Sequence, residues 1–489
     1  MKQVAKSFIK NKPAINMTVV GFGQAGSRIA DNFASYKDEA GIGVYNCLAL
    51  NSNDGDLQGL THIPVNNRVS LNLGGLGKNP QKAIKILEDN AEVNEKLKNF
   101  IQNQVRPNDD LVLFCAGLGG GTGTSTIVKA IEEFYEFNTK PLITDELKKI
   151  QSEVGNEDFK KNLNRKYLKM AILSAREKSV KIGVIVTLPL RADGPDVLKQ
   201  VNDFSQRIWK LAKDPTKGIG FVIFADNQFF YDQFKRLPAH RLQETENYRD
   251  FANKEICDLF HELNTATTGG GTEVTFDSQD FRRIILENHG SLVINRLSKP
   301  MNEINKGEDI KNMFMESIKG SNLHEPIELE NKNDNGEIEF SEIYHVGLLA
   351  VLDKKKNLGS SFIDDARVEI ADSPSFFVKG SMFTGYLEGF NDHSATVYTF
   401  YKTNGLPNRL AKGLVNEFEE YQNRQKSIKT MDTSISSIEV EDNEGFDFDI
   451  DLDLSEFGLD VEDENTDNDT AEDNFDIDID SLDLSKIKL

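Results

Sequence analysis

From Asn16 onward short apolar runs alternate with amphipathic stretches, the pattern of a parallel sheet covered by helices. The runs at 17–23 (MTVVGFG), 44–53 (VYNCLALNSN), 110–117 (DLVLFCAG), 181–189 (KIGVIVTLP) and 218–227 (GIGFVIFADN) predict strands. Their near-continuous apolar character suits strands buried on both faces. The stretches 26–36, 80–100 and 124–137 read as intervening helices, the second opening with Pro80 at a first-turn position where its missing N–H costs nothing. After Asn227 the rhythm changes. A long helix is predicted over 248–265, then the turn-rich TTGGGTE, then strands at 291–297, 345–353 and 395–401 and a last helix ending near Gln425. The expected fold class is α/β: an N-terminal extension 1–14, a parallel-sheet domain 15–247, a long central helix 248–268 and a second α/β domain 269–428.

Charge changes the picture only at the ends of this scheme. Residues 431–489 hold 22 Asp and Glu against Lys486 and Lys488, so this tail carries −20 of the formal −22. The first 430 residues, with 55 basic and 57 acidic groups, are nearly neutral, which excludes nucleic-acid binding by bulk charge of the folded part. The tail is too charged to collapse onto a core and is expected to be disordered. It repeats a pattern, FDIDLDLSEF at 448–457 and FDIDIDSLDLSKI at 475–487, whose alternating acidic and apolar residues suit a peptide added to a basic groove on an adaptor or a neighbouring subunit. A plain solubilising bristle is the alternative. Between 138 and 180 lies a basic stretch with 10 Lys and Arg against 6 Asp and Glu, expected to be a helical, solvated insertion.

Cys47, Cys115 and Cys257 sit inside apolar stretches with no close pair, so buried free thiols are expected rather than a disulfide framework. The seven histidines lack ligand spacing, and no metal site built by the protein is expected. The N-terminus lacks the apolar core of a signal peptide, and no apolar run reaches the roughly 18 residues of a membrane span. A cytoplasmic location is expected.

Candidate chemistry lies in glycine-rich turns that leave strands and open helices. Gly21-Phe-Gly-Gln-Ala-Gly26 can present backbone N–H groups and a helix dipole to a phosphate. Alone it also matches a dinucleotide fingerprint, or a tight structural turn. GLGGGTGTST, from Gly117 to Thr126, is more informative. Its five glycines in seven residues remove the Cβ atoms that would hold a phosphate off the amides, and Thr122, Thr124 and Ser125 offer hydroxyl donors. The GK[ST] ending of a Walker loop is absent, and a dinucleotide enzyme needs only one such loop. A third cluster, LGGLGKNP at 73–80, opens the next helix. Three anion-receptive helix starts along one sheet edge suit a ligand with several phosphates.

These residues resemble the tubulin/FtsZ superfamily. GLGGGTGTS is similar to its signature loop, and GFGQAGS, LNSND, GLGKNP, TLPLRADG, ADNQFF, the helix NKEICDLFHELN and the loop VTFDSQDF follow in the superfamily's order over residues 15 to 428. Within it, NKEICDLFHELN and FYKTNGLPNRLAKGLVNEF resemble the plasmid and phage branch, TubZ. The resemblance implies a GTPase whose subunits polymerise head to tail. It implies GTP, with Mg2+ carried by the nucleotide, held by Gly21, Gly23, Gln24, Ala25, Gly26 and Asn51. Gly75, Gly77 and Lys78 would lie near the terminal phosphate, and Gly119, Gly120, Gly121, Thr122, Gly123 and Thr124 would cradle the phosphates. Asp193 would contact ribose, and Asn227 and Asn253 guanine, with Asp258 competing for the last role. Asp277 and Asp280 match the acidic pair that a neighbouring subunit inserts against the γ-phosphate. Two carboxylates three residues apart can orient an attacking water or its magnesium shell, although the plain reading of FDSQDF is a helix N-cap.

Several positions depart from the pattern: Ser125 replaces the usual last glycine, Ala25 interrupts the first loop and Thr275 stands where cell-division members have Asn. The insertion is not expected in TubZ, and TubZ tails tend to be basic. The implied role is movement or positioning of plasmid or phage DNA through an adaptor, with DNA touched only indirectly. The rivals are a non-hydrolysing GTP-binding scaffold and an NAD-dependent dehydrogenase.

Overall fold

The computed structural model describes residues 12–74, 79–106, 108–238, 247–266, 275–287, 289–332, 337–352, 358–359, 361–388 and 393–428. Gly75, Gly77, Lys78, the whole TTGGGTE turn and the whole acidic tail lie outside the described residues.

Among the described residues ten strands form one mixed sheet. In chain order they are β1 (Met17–Phe22), β2 (Asn46–Asn51), β3 (Arg68–Ser70), β4 (Leu111–Gly117), β5 (Lys181–Leu188), β6 (Ile219–Asp226), β7 (Ser291–Pro300), β10 (Ile343–Leu352), β11 (Met382–Glu388) and β12 (Ser394–Thr403), while β8 (Glu330–Lys332) and β9 (Ile338–Phe340) make a separate hairpin. Their order across the sheet is β3-β2-β1-β4-β5-β6-β7-β12-β10-β11. From β3 to β7 every pair is parallel, and β12 is antiparallel to both β7 and β10. The seam between the halves is thin: β6 meets β7 only through Val222 and Ser291. Strand order reverses between β1 and β4, and in such sheets ligands bind beyond the carboxyl ends of the strands at that reversal.

The parallel strands are apolar on both faces because helices cover both. The helix Gly23–Ala34, the central helix Tyr248–Ala266 and the helix Ser278–Leu286 pack on one side with Phe33, Cys257, Phe260 and Phe281. The helices Pro80–Asp89, Ala91–Gln104, Thr122–Phe134 and Pro195–Lys213 cover the other with Leu97, Ile127 and Phe204. All three cysteines are buried and free. The stretch 80–100 is two helices rather than one. Asn90 leaves helical geometry at φ −102 and ψ 99, and its side chain accepts from the N–H groups of Glu92 and Val93, so it ends one helix and caps the next.

The stretch 138–180 is helical, over Lys140–Val154, Asn156–Asn162 and Leu168–Lys178. It carries its own apolar cluster, with Ile143, Leu147, Phe159, Tyr167 and Ile172, which lets its charges face water without disturbing the main core. In the second half, helices Gly307–Ser317 and Ser361–Ala371 and strand β11 join the elements expected from the pattern.

The central helix is buried on nearly every side in its second half, and its buried polar groups reach both halves of the sheet. Asn264 exchanges two hydrogen bonds with the backbone of Ile15 (2.8 and 3.0 Å), and Glu262 accepts from Arg296 of β7 (2.8 Å) and Tyr398 of β12 (2.9 Å). His261 stacks on Tyr36 with ring centroids 3.8 Å apart and meets the Tyr45 hydroxyl at 2.8 Å. Among the described residues no helix is long and apolar enough to cross a membrane.

Candidate functional site

The loops after β1, β2, β4, β5 and β6 all emerge at the carboxyl edge of the parallel strands. The first two glycine loops touch. A Cβ on Gly23, which has φ +66, would lie 2.8 Å from the Gly123 nitrogen, and one on Gly26 would lie 2.0 Å from the Cys115 carbonyl oxygen. Glycine there lets the start of the first helix press against β4 and the second loop. Gly117 faces Ala25, whose Cβ would be 2.8 Å from a Cβ on Gly117, so the alanine in the first loop packs against its neighbour. Gly120 differs: a Cβ on it would meet no protein atom within 4 Å.

The second loop is held by its carbonyls. Gln200 Nε2 donates to the carbonyls of Leu118 (2.8 Å) and Gly120 (3.0 Å), Thr124 Oγ1 donates to Gly120 (2.6 Å), and Ser125 Oγ donates to Gly121 (3.0 Å). A trans peptide points its C=O and the next N–H in opposite directions. Tying these three carbonyls to the protein therefore turns the N–H groups of Gly119, Gly121 and Thr122 the other way. The hydroxyls of Thr124 and Ser125 shape this loop from beneath rather than serving as outward donors, which also accounts for serine in place of glycine at 125. Thr122 Oγ1 meets Ser52 Oγ at 2.8 Å and so joins the second loop to the LNSND loop.

The helices that open at these two loops have no side-chain cap and no acidic residue in the first turn. Of the other helix starts, Asn53, Asn79, Asn90, Asp226 and Asp277 cap theirs, while the helices Lys140–Val154 and Pro195–Lys213 also open without a side-chain cap. Uncapped starts leave unsatisfied N–H groups and a partial positive charge at one place, which suits an anion. The third helix start is not of this kind, because Asn79 already accepts from Lys82 N–H at 2.9 Å. The chain leading to it runs beside the LNSND loop, with Leu71 and Leu73 N–H donating to the carbonyls of Asn51 and Ser52 (2.8 and 2.9 Å). Asn51 itself bonds inward, to Asp56 (3.0 Å) and the Ser52 N–H (2.8 Å).

Further along the same edge lie the loops after β5 and β6, with the start of the central helix beside them. Asp193 closes its own turn by accepting from Leu190 N–H at 2.9 Å. The Tyr248 hydroxyl lies within electrostatic reach of Asp193, and burial is the main cause that raises its pKa. Tyr248 packs edge-on to Tyr231, centroids 5.5 Å apart, on the helix that opens with Asn227. Asn253 is buried on the same central helix. Asp258, five residues beyond Asn253 on the central helix, is engaged elsewhere. Its carboxylate accepts from Tyr36 Oη (2.5 Å) and Lys254 (2.7 Å), beyond the far end of a helix that is about 18 Å long at 1.5 Å per residue.

Asp277 and Asp280 lie apart from all of this. Asp277 caps the helix Ser278–Leu286 by accepting from Gln279 and Asp280 N–H (2.8 and 2.9 Å), and Asp280 reaches back to Asp277 N–H at 3.4 Å. Burial raises the Asp280 pKa, the Asp277 N–H opposes this, and the Asp277 charge adds to it. Arg282 of the same helix bonds Asp110 (2.7 Å) and the Ala14 carbonyl (3.1 Å), just before β4 and β1. The helix thus lies along the amino edge of the sheet. Six residues of strand, about 20 Å at 3.3 Å each, separate that edge from the glycine loops.

Gln200 and Ser52 are structural partners that the glycine motifs do not mark. Ser52 lies within the LNSND loop, but nothing local marks Gln200, which acts across 80 residues of chain. Among the described residues no group of three or more His, Cys, Asp or Glu is placed to hold a metal ion.

No protein-family model matches the chain. It is 24% identical to the tubulin-like protein TubZ of Bacillus cereus over 295 residues, 58% of this chain and 55% of that protein. It is 30% identical to the tubulin-like protein CetZ1 of Haloferax volcanii over 135 residues, 26% of this chain and 33% of that protein. The match therefore spans about half the length of the curated TubZ relatives. Among solved structures, a GTPγS-form protofilament of TubZ from Bacillus thuringiensis serovar israelensis superposes with TM-score 0.62 at 18% identity, covering 87% of this chain and 97% of that one. The GDP-bound monomer of CetZ1 gives 0.53 at 18% identity, covering 83% and 100%.

Proposed function

We propose that this chain, which has the fold of the tubulin/FtsZ superfamily and is most like its TubZ branch, is a GTPase that polymerises head to tail and hydrolyses GTP at subunit junctions. The observation that carries the reading is the division of the site. Outward N–H groups and uncapped helix starts gather at one edge of the sheet, and the acidic pair Asp277 and Asp280 sits at the opposite edge of the same subunit. A triphosphate seated at the first edge is out of reach of its own subunit's carboxylates, and a stacked second subunit brings them to it.

In this reading Gly21, Gly23, Gln24, Ala25 and Gly26 and the Gly119–Thr124 loop bind the phosphates through backbone N–H groups. Asp193 contacts ribose, and Asn227 and Asn253 read guanine. Asn51, Gly75, Gly77 and Lys78 line the side of the terminal phosphate. Mg2+ accompanies the triphosphate and neutralises charge between its oxygens. Asp277 and Asp280 of the next subunit orient the attacking water, and phosphoryl transfer needs little beyond such positioning. The division of labour assigns nucleotide binding to 15–247 and the acidic pair to 269–428, joined by the central helix. The same reading assigns a cytoplasmic filament that moves or positions plasmid or phage DNA through an adaptor on the acidic tail.

A second reading, a GTP-binding scaffold without hydrolysis, is favoured by one fact: both carboxylates already serve as a helix cap. Phosphate release measured against protein concentration with GTP, with electron microscopy of the same samples, separates the two. Specific activity that rises steeply with concentration as filaments appear supports the shared site. Filaments without phosphate release support the scaffold. Constant specific activity without filaments refutes both, and equal rates with ATP remove Asn227 and Asn253 as base-reading residues.

A further inference from the structure

Arg409 begins the π-helical turn Arg409–Gly413 that leads into the C-terminal helix Leu414–Ser427, and its side chain is 1% exposed. Its Nη1 donates to the Pro189 carbonyl (2.7 Å), just after β5, and to Asp226 Oδ1 (2.5 Å), the last residue of β6. Nε and Nη2 form a two-pronged pair with Glu417 of the C-terminal helix, both at 3.0 Å. Glu417 also accepts from Arg191 Nε (2.9 Å). The Arg191 N–H in turn donates to Gln228 Oε1 (3.1 Å), and the Gln228 N–H donates to Asp226 Oδ1 (2.9 Å). Arg409, Asp226, Gln228, Arg191 and Glu417 thus close a ring of hydrogen bonds. Asn227 lies between two of its members, and Asp193 is two residues from a third.

We propose that Arg409 is a positioning residue for nucleotide selectivity: through this ring the C-terminal helix sets the loops that read ribose and guanine. The inference rests on the assignment of Asn227 and Asp193 to the nucleotide. Its physical basis is dependence. The second carboxylate oxygen of Asp226 is buried without a partner among the described residues, so the charge beside Asn227 is balanced by Arg409. The planar guanidinium meets three groups in three directions, which a lysine ammonium does not reproduce. Leu410 and Leu414 anchor the same segment in the apolar core under β5 and β6, so the turn can stay docked when the ring is opened.

The test compares Arg409→Lys, and Glu417→Gln at the outer side of the ring, with wild type. Binding of GTP and of ATP to the full chain is measured below the assembly concentration by displacement of a fluorescent GTP analogue, together with the thermal midpoint. The expected result is a GTP affinity about tenfold lower in Arg409→Lys with a smaller fall for ATP, which shares only the ribose contact, so that the preference for GTP narrows, and a smaller narrowing in Glu417→Gln. A lower midpoint with the GTP-to-ATP ratio unchanged in both variants overturns the inference, because a merely structural arginine weakens the fold without changing which base is read. Wild type that fails to prefer GTP overturns the nucleotide assignment itself.

Discussion

Replacing Asp280 with Ala separates chemistry from folding more cleanly than any other change at this site. In the subunit, Asp280 makes one long contact, 3.4 Å to the Asp277 N–H, while Asp277 makes the two short bonds that cap the helix. The loss of Asp280 removes a carboxylate from the first turn, where it is worth about 0.3–1 kcal/mol against the helix dipole. Its raised pKa works in the other direction: burial disfavours the charged form, so ionisation near neutral pH already opposes folding and is relieved in the alanine variant. The two effects oppose each other, and the thermal midpoint should move by no more than a few degrees. The rate should fall far more. Removing a preorganised electrostatic group from a reacting centre typically costs about 10² to 10³. GTP binding by the monomer should hardly change, because the glycine loops lie a strand's length away. In the proposed mechanism hydrolysis is what weakens the junction, so filaments should form and then persist. The assay is phosphate release above the assembly concentration, with filament lifetime after GTP withdrawal by light scattering. A variant that hydrolyses at the wild-type rate, or whose filaments disappear as fast, would show that this loop is only a helix start.

Two glycine substitutions should part ways. Gly120→Ala meets no protein atom and should keep the wild-type midpoint while losing GTP binding in a displacement titration, whereas Gly26→Ala drives a Cβ to 2.0 Å from the Cys115 carbonyl oxygen and should fail to give a cooperative unfolding transition. Burial lowers both His261 and His324 from 6.5 to about 4, so the folded chain stays unprotonated where the unfolded chain takes up protons. Stability is complete above pH 6.5 and falls as pH drops toward 4, by up to about 1.4 kcal/mol per pH unit per histidine, and His261→Gln should flatten the urea-midpoint profile in that window. Arg296→Met leaves Glu262 buried without its cation and should cost about 3–5 kcal/mol in urea unfolding, and an unchanged midpoint would show that the pair contributes nothing. Removal of 431–489 should leave GTP binding intact and promote bundling, since the tail's −20 repels neighbours over a Debye length of about 8 Å at physiological salt. Loss of nucleotide binding on truncation would place the tail within the fold.

The amino-acid sequence by itself determined the parallel strands, the long central helix and the glycine turns, because each is written in local terms. Apolar runs report strands covered on both faces, and glycine marks the places where backbone must approach backbone, as at Gly23 and Gly26. A break such as that at Asn90 was also written locally, in an Asn-Ala-Glu start that a longer apolar rhythm hid. Which groups meet across the fold was not local. Only the sheet order set the acidic pair and the glycine loops at opposite edges, brought Gln200 beneath the second loop, and engaged Asp258 with Tyr36. Arg409 shows the limit most plainly. Its partners Pro189 and Asp226 lie 220 and 183 residues away, and one buried arginine looks in sequence like any charged residue on a helix. Burial turns it from a solvated surface charge into a group whose every hydrogen bond must be found inside the protein, and only the packed structure decides where those bonds go.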